Sequence, residues 1–371
     1  MIDFLELVLE QSKVKKQLQK ILISRRVPHA FIFSGQIGIG KFNTAIQFAK
    51  SIYLTFSNEA ESKNLYRIDE LQEPIIKIIM PLPRGKGEKA EDSALAKLSK
   101  DTLDEIKTEI HKKARNSFYQ INIENANSIK INSIREITKF VSLDVNANVM
   151  RFIIILDADL MSDEAQNALL KNLEEPPQGI YFILLTSKKE QLLPTIASRC
   201  RDITFEPLSV YSVSQILIKQ FGTEIIIADK VAKFSGGSVT QAIKLLEYDF
   251  ELIQKKTISI LRFSFANKYQ AAFNEFIDFS KSNSVDSIKL LLRMIKIWLC
   301  DVVRFRKAFD DLSFADVKET IEKFDSKHNK VMLEPLFAKL DYLETYIDRN
   351  INLNVLFLNV IFELASVVKR N

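Results

Sequence analysis

The feature that most constrains the fold is AFIFSGQIGIGKF, residues 30–42, where a short apolar run feeds directly into a loop holding three of the chain's nine glycines within six residues. Such clustering marks backbone that must enter conformations closed to other side chains. Downstream, Ala45, Phe48, Ala49 and Ile52 recur at helical spacing. Strand, glycine-rich loop and helix form the context in which Gly35, four intervening residues, Gly40 and Lys41 read as a phosphate-cradling P-loop. The position after the lysine normally supplies a metal-binding hydroxyl, and here it is Phe42.

Further along, RFIIILDADL (151–160) is a continuous apolar run ending in acids, the pattern of a parallel strand buried on both faces. YFILLTS (181–187) is another, ending in hydroxyls. Between them Ser162 and Asp163 are cap candidates for a helix that Pro176 and Pro177 stop. Alternating strands and helices predict an α/β domain with a mainly parallel sheet over residues 1–207. Residues 56–120 interrupt the alternation. Within them, 84–115 mix acids and bases densely around sparse apolar anchors (Leu95, Leu98, Leu103, Ile106), which predicts a solvated helical insertion. Residues 208–250 read as a small helical lid, and 251–371 as a helical bundle rich in Phe and Leu.

Composition narrows the function classes. A chain of 371 residues is too long for one ordinary core, and 47% hydrophobic with 27% charged residues is ordinary for a globular protein. The apolar stretch 285–303 is broken by Asp286, Lys289, Arg293 and Lys296, so no membrane span is expected. The N-terminus lacks a basic segment and cleavage site of secretory type. Cys200 and Cys300 suggest neither a disulfide framework nor a zinc site, and the expected location is the cytoplasm. His29, His111 and His328 are too scattered for a metal cluster. The net charge of +5 is a mild bias that permits nucleic-acid contact without arguing for it.

Hydrolysis of a nucleotide needs more than a loop. Backbone N–H groups and the lysine hold phosphates, the adjacent hydroxyl binds Mg²⁺, and carboxylates on another strand hold the metal and orient water. Phe42 offers no lone pair, and Thr44 lies two residues on, a rotation of about 200° around the helix. Asp157 is flanked by Leu156 and Ala158, so the usual Asp-Glu pair is missing. The expectation is a chain without its own hydrolysis and with no required cofactor, at most binding nucleotide weakly through Gly35, Gly40 and Lys41.

NALLKNLEEPPQGIYFILLTSKKEQLLPTIASRC (167–200) and VPHAFIFSGQIGIGK (27–41) resemble the clamp-loader branch of the AAA+ proteins. The resemblance implies an AAA+ P-loop domain, a helical lid and an all-α collar over 251–371, whose closing helix is similar to DRNINLNVLFLNVIFEL (348–364). Aligned on NALLK, the family's metal-binding Asp falls on Leu156 and its catalytic Glu on Asp157. Its sensor-2 arginine falls on Thr240, and Thr186 sits at the strand end where the family has Thr or Ser. By contrast Ser198, Arg199 and Cys200 keep the SRC motif.

That pattern implies a non-hydrolysing subunit of the bacterial DNA polymerase III clamp loader. Its implied partners are gamma/tau-like and delta-like subunits in a hetero-oligomeric ring, with sliding clamp and primed DNA in the assembled complex. Arg199 is then expected to reach the ATP of a neighbouring subunit, a role suited to a planar, permanently charged guanidinium. Many relatives carry a four-cysteine zinc module where this chain has its charged insertion, so no zinc is expected. Two other readings stay open: an active gamma/tau-like ATPase with an unusual P-loop, and a nucleic-acid-binding module using Lys13, Lys15, Lys16, Lys20, Arg25 and Arg26.

Overall fold

A computed structural model describes Leu5 and residues 10–56, 62–89, 91–141, 150–281, 284–309, 311–347 and 352–369. The chain divides into two units, Met1–Thr223 with Gly236–Gln241, and Glu224–Ser235 with Ala242–Asn371. The N-terminal residues 1–4 and 6–9, and residues 348–351 of the stretch similar to a closing collar helix, lie outside the described residues.

In the first unit, α1 (Ser12–Ile23), β1 (Ala30–Ser34), α2 (Lys41–Phe56), α3 (Ser62–Asp69), β2 (Ile76–Ile79), α4 (Lys100–Arg115), α5 (Ile131–Val141) and β3 (Arg151–Ile155) come first. They are followed by α6 (Asp163–Glu174), β4 (Ile180–Thr186), α7 (Pro194–Arg199), β5 (Arg201–Thr204) and α8 (Val210–Phe221). Five strands form one parallel sheet in the order β2-β3-β4-β1-β5. Parallel strands require crossover connections that place helices on the sheet faces, which is why β1 and β3 are buried at every position. One face packs Ile32, Ile153, Ile155, Phe182 and Leu184 against α5, α6 and α7. On β1, the alternate side chains Phe31 and Phe33 meet Phe48 of α2, with the Phe31 and Phe48 rings edge to face at 5.1 Å. The expected fold class, an α/β P-loop domain with a mainly parallel sheet followed by helices, is the one observed.

The register places Ser34 beside Thr186 on one side and Thr204 on the other. The polar C-terminal ends of three strands therefore line up at the edge where open parallel sheets hold their ligands. Ser162 caps α6 by accepting the Ala165 N–H at 3.2 Å, as its position predicts. The insertion expected over residues 56–120 is interrupted by an element of the sheet. Residues 76–79 are not part of it, since β2 pairs with β3 over the whole of its length. Near its C-terminal end, α4 is not simply solvated, because it carries the half-buried Lys113 to the ring of Phe42.

α9 (Ile225–Phe234) and most of α10 (Val239–Glu247) belong to the second unit, followed by α11 (Phe250–Phe265), α12 (Tyr269–Lys281), α13 (Val285–Arg306), α14 (Lys318–His328), α15 (Glu334–Thr345) and α16 (Leu353–Lys369). Long α13 is its centre, burying Leu291, Met294, Ile295, Trp298, Leu299 and Val302, a recurrence that follows the 3.6-residue helical period. Phe276 of α12 stacks on Phe357 of α16 at 4.6 Å between centroids. Among the described residues no helix is long and apolar enough to cross a membrane.

Candidate functional site

The loop between β1 and α2 takes the form that its glycines permit. Gly38 has φ of 81° and Gly40 of 95°, both in the left-handed region. At Gly38 a side chain is excluded twice over, because a Cβ there would lie 2.3 Å from Ser238 Oγ and 2.8 Å from Thr240 Cβ. The same approach is sealed by a 2.8 Å bond from the Val239 N–H to the Gly38 carbonyl. Thus the segment aligned with the family's sensor-2 region lies on the P-loop, but it brings a hydroxyl rather than a guanidinium. Thr240 Oγ1 donates to the Phe118 carbonyl at 2.7 Å.

Lys41 turns back on its own loop, donating to the carbonyls of Gly35 and Gln36. Burial pulls its pKa down to about 8, against the opposing pull of Asp157 and Asp159. Phe42 is buried, and the ammonium of Lys113 from α4 lies over its ring, 4.6 Å from the centroid. Lys113 Nζ also donates to the carbonyls of Ser117 at 2.9 Å and Tyr119 at 2.6 Å. Its pKa too is lowered to about 8 by burial, with Asp157 raising it and Lys41 adding to the decrease. Asp157 sits in a left-handed turn at φ of 47° after β3, and burial followed by repulsion from Asp159 raises its pKa, which Lys113 and Lys41 oppose.

Together these groups line a half-open cavity of about 80 Å³, walled by Gly38, Gly40, Lys41, Phe42, Lys113, Phe118–Ile121, Leu156, Asp157 and Thr240, among others. The residues present do not fit a magnesium–nucleotide complex: the ring of Phe42 stands where a hydroxyl ligand belongs, and a cation already lies on that ring. Thr44 is no substitute, since its hydroxyl donates to the Gly40 carbonyl at the start of its own helix at 2.9 Å. Among the described residues, no group of three or more His, Cys, Asp or Glu is arranged to hold a metal ion.

Thr186 closes β4 but does not face an open site. Its hydroxyl donates to Asp159 Oδ1 at 2.6 Å and accepts from the Lys188 N–H at 3.0 Å. Asp159 and Lys113 are the residues that sequence reasoning missed. Neither stands in a recognisable motif: Lys113 is one base in a helix of many, and Asp159 is only the second acid after an apolar run.

Arg199 is not among the residues lining this cavity. It ends α7, donates to the Thr195 carbonyl at 2.9 Å and pairs with Glu174 at 2.8 Å. The arginine side chain is 36% exposed and the glutamate 50%. Ser198 Oγ donates to the same Thr195 carbonyl at 3.0 Å. Cys200 packs against the core cluster, and burial pushes its thiol up to about 12, which leaves it protonated and unreactive at neutral pH. α1 directs Val14 and Leu18 inward and leaves Lys13, Lys16 and Lys20 exposed, with Lys13 paired to Glu206 at 2.6 Å, so this basic stretch is the outer face of an amphipathic helix.

A parallel sheet with a P-loop at its C-terminal edge, a metal-ligand position filled by Phe42 and an exposed SRC arginine define a P-loop α/β module altered at its own nucleotide site. Residues 10–209, more than half of the chain, match the profile of the family described as DNA polymerase III, delta subunit, and the chain belongs to that family. That membership agrees with the clamp-loader resemblance read from its sequence, and its relatives include both delta-prime and tau/gamma subunits. It is 28% identical over 213 residues to DNA polymerase III subunit delta′ of Bacillus subtilis, covering 57% of this chain and 52% of that protein. To subunit tau of the same organism it is 25% identical over 250 residues, covering 65% of this chain and 36% of tau. The match therefore spans about a third to a half of the length of these relatives. A DNA polymerase III gamma-subunit-related protein of Thermotoga maritima is a distant structural likeness, at 14% identity and a TM-score of 0.41 over 95% of this chain and 99% of that one.

Proposed function

We propose that this chain is the non-hydrolysing, delta-prime-type member of a clamp-loader ring, placed beside gamma/tau-like and delta-like subunits and acting with them on a sliding clamp and primed DNA. It holds no catalytic nucleotide of its own, requires no zinc, and supplies Arg199 to ATP bound by the next subunit. The observation that carries this reading is the contrast within one unit: Phe42, Leu156 and Thr240 stand at three positions where the family's ATPase residues fall, while Arg199 lies exposed beside a surface glutamate. An exposed pair of this kind contributes about 0–1 kcal/mol, so exchanging Glu174 for a phosphate costs little.

The active-ATPase alternative has the similarity to tau in its favour, and the same experiment decides between them. The full chain is assembled with the gamma/tau-like and delta-like subunits of its own organism, and DNA-stimulated ATP turnover is compared for wild type and Lys41→Ala. Unchanged turnover is expected. A loss confined to this chain's site in an intact ring would make it a hydrolysing subunit, and failure to enter the ring at all would remove the clamp-loader assignment.

A further inference from the structure

We infer that Lys113 is a built-in cation that closes the P-loop cavity, with Phe42 as its receptor, so that the two residues form one device in place of a metal and its hydroxyl ligand. The inference rests on reading the cavity as an altered ATPase site and goes further, since it names what fills the site and which segment delivers it. Loss of a ligand alone would leave an open, weak pocket. Here a cation of the chain's own lies at the pocket wall, on the ring that replaces the ligand.

The geometry is specific at each contact. An ammonium has three donors. Two Lys113 hydrogen bonds run to the Ser117 and Tyr119 carbonyls, and the ammonium also lies over the Phe42 ring, with Asp157 supplying the opposing charge. A hydroxyl at position 42 would offer no aromatic face, so Phe42 is explained by what lies on it. The delivering segment is held from two sides. Glu109 accepts from the Tyr119 hydroxyl at 2.8 Å, the Asn122 N–H at 3.0 Å and Lys112 at 2.9 Å, and Thr240 holds the Phe118 carbonyl. Residues 117–121 consequently line the cavity, and the charged insertion acquires a structural role, because its helix brings the plug.

A competing role predicts the opposite sign. If Lys113 were a phosphate ligand, removing its charge would weaken anion binding; if it is the plug, removal admits the nucleotide. The test titrates the full-length chain with the fluorescent nucleotide mant-ATP, with Mg²⁺ or with EDTA, for wild type, Lys113→Met, Phe42→Thr and the double variant. Wild type and Phe42→Thr are expected to bind poorly. Lys113→Met should bind at least roughly tenfold tighter without a Mg²⁺ requirement, and only the double variant should gain Mg²⁺ dependence. Glu109→Gln, which lies outside the cavity and loosens the segment, should give a smaller gain. It serves as the second probe if circular dichroism shows Lys113→Met to be unfolded. Weaker binding by Lys113→Met would make Lys113 a phosphate ligand, and equal binding by all forms would remove its closing role. ATP turnover by the wild-type chain tests the non-hydrolysing reading separately, so an inactive wild type with unaltered variants sinks the plug alone.

Discussion

Lys113 and Arg199 are both cations of the first unit, and they meet opposite fates. Lys113 is half-buried, its charge answered only in part by two carbonyls, an aromatic face and Asp157, and partial burial lowers its pKa to about 8. Arg199 remains at the surface, restrained by one carbonyl and one exposed carboxylate. Inside, a charge must be fully satisfied before it can be buried, so the groups that satisfy it become structural. Outside, a charge held by a weak exposed pair remains exchangeable. The contrast separates a cation committed to its own chain from one left exchangeable at the surface, as the proposed role of Arg199 requires.

The sharpest way to break that contrast is Arg199→Ala in an assembled ring. Turnover at the neighbouring site should fall by roughly 10³-fold, with poor rescue by lysine, because a point charge cannot reproduce a bidentate fork. Gel filtration should show the ring intact. Unchanged turnover would reduce Arg199 to a surface residue, and the contrast would disappear.

Loosening the closed side has a smaller effect. Glu109→Gln is expected to cost about 1–3 kcal/mol in urea unfolding of the full chain, since it weakens charge-assisted bonds at a buried acceptor. Burial pushes the Glu109 pKa up, but the bonds from Asn122, Lys112 and Tyr119 outweigh it, and the net direction is down. Its stabilisation is therefore present above the ordinary carboxylate pKa and lost as pH falls through the lower folded value. The stability gap between wild type and Glu109→Gln should narrow in acid.

The two lysines respond to base. Lys41 and Lys113 each go from 10.5 to about 8 on folding, so between those values the unfolded chain binds more protons than the folded one. Stability then rises with pH across that window. The melting temperature of wild type relative to Lys113→Met should climb by a few degrees, at roughly 2–4 °C per kcal/mol for a unit of this size. A relative decrease would mean that Lys113 is charged and content where it lies.

The smallest effect belongs to the exposed side. Glu174→Ala should alter the stability of the chain by less than about 1 kcal/mol while leaving turnover in the ring at or slightly above wild type, because it frees Arg199. A marked loss of turnover would mean that Glu174 positions the arginine instead of parking it.

Much of the sheet was legible because burial on both faces writes itself as continuous apolar runs. β1, β3 and β4 all fall within such stretches. β2 was not legible: four residues inside a charged region carry too little pattern, and their identity as a strand comes from pairing with β3. At the site, the family resemblance pointed to Arg199, and local spacing located Lys41, Phe42 and Asp157. It gave no access to Lys113, which reaches Phe42 across seventy intervening positions. Nor did it show that Thr186 is engaged by Asp159, a contact set by where two strand ends are brought together. Motif grammar is local, and the occupant of this cavity is not.

Gly38 shows what that grammar leaves out. Its hydrogen side is occupied by Ser238 and Thr240, at 2.3 and 2.8 Å from where a Cβ would stand, so packing forbids a side chain whether or not a phosphate ever arrives. The P-loop pattern leaves this position unspecified, while the chain uses its glycine as a keystone between the sheet edge and residues 238–240, and the letter would be required in a protein that never meets a nucleotide.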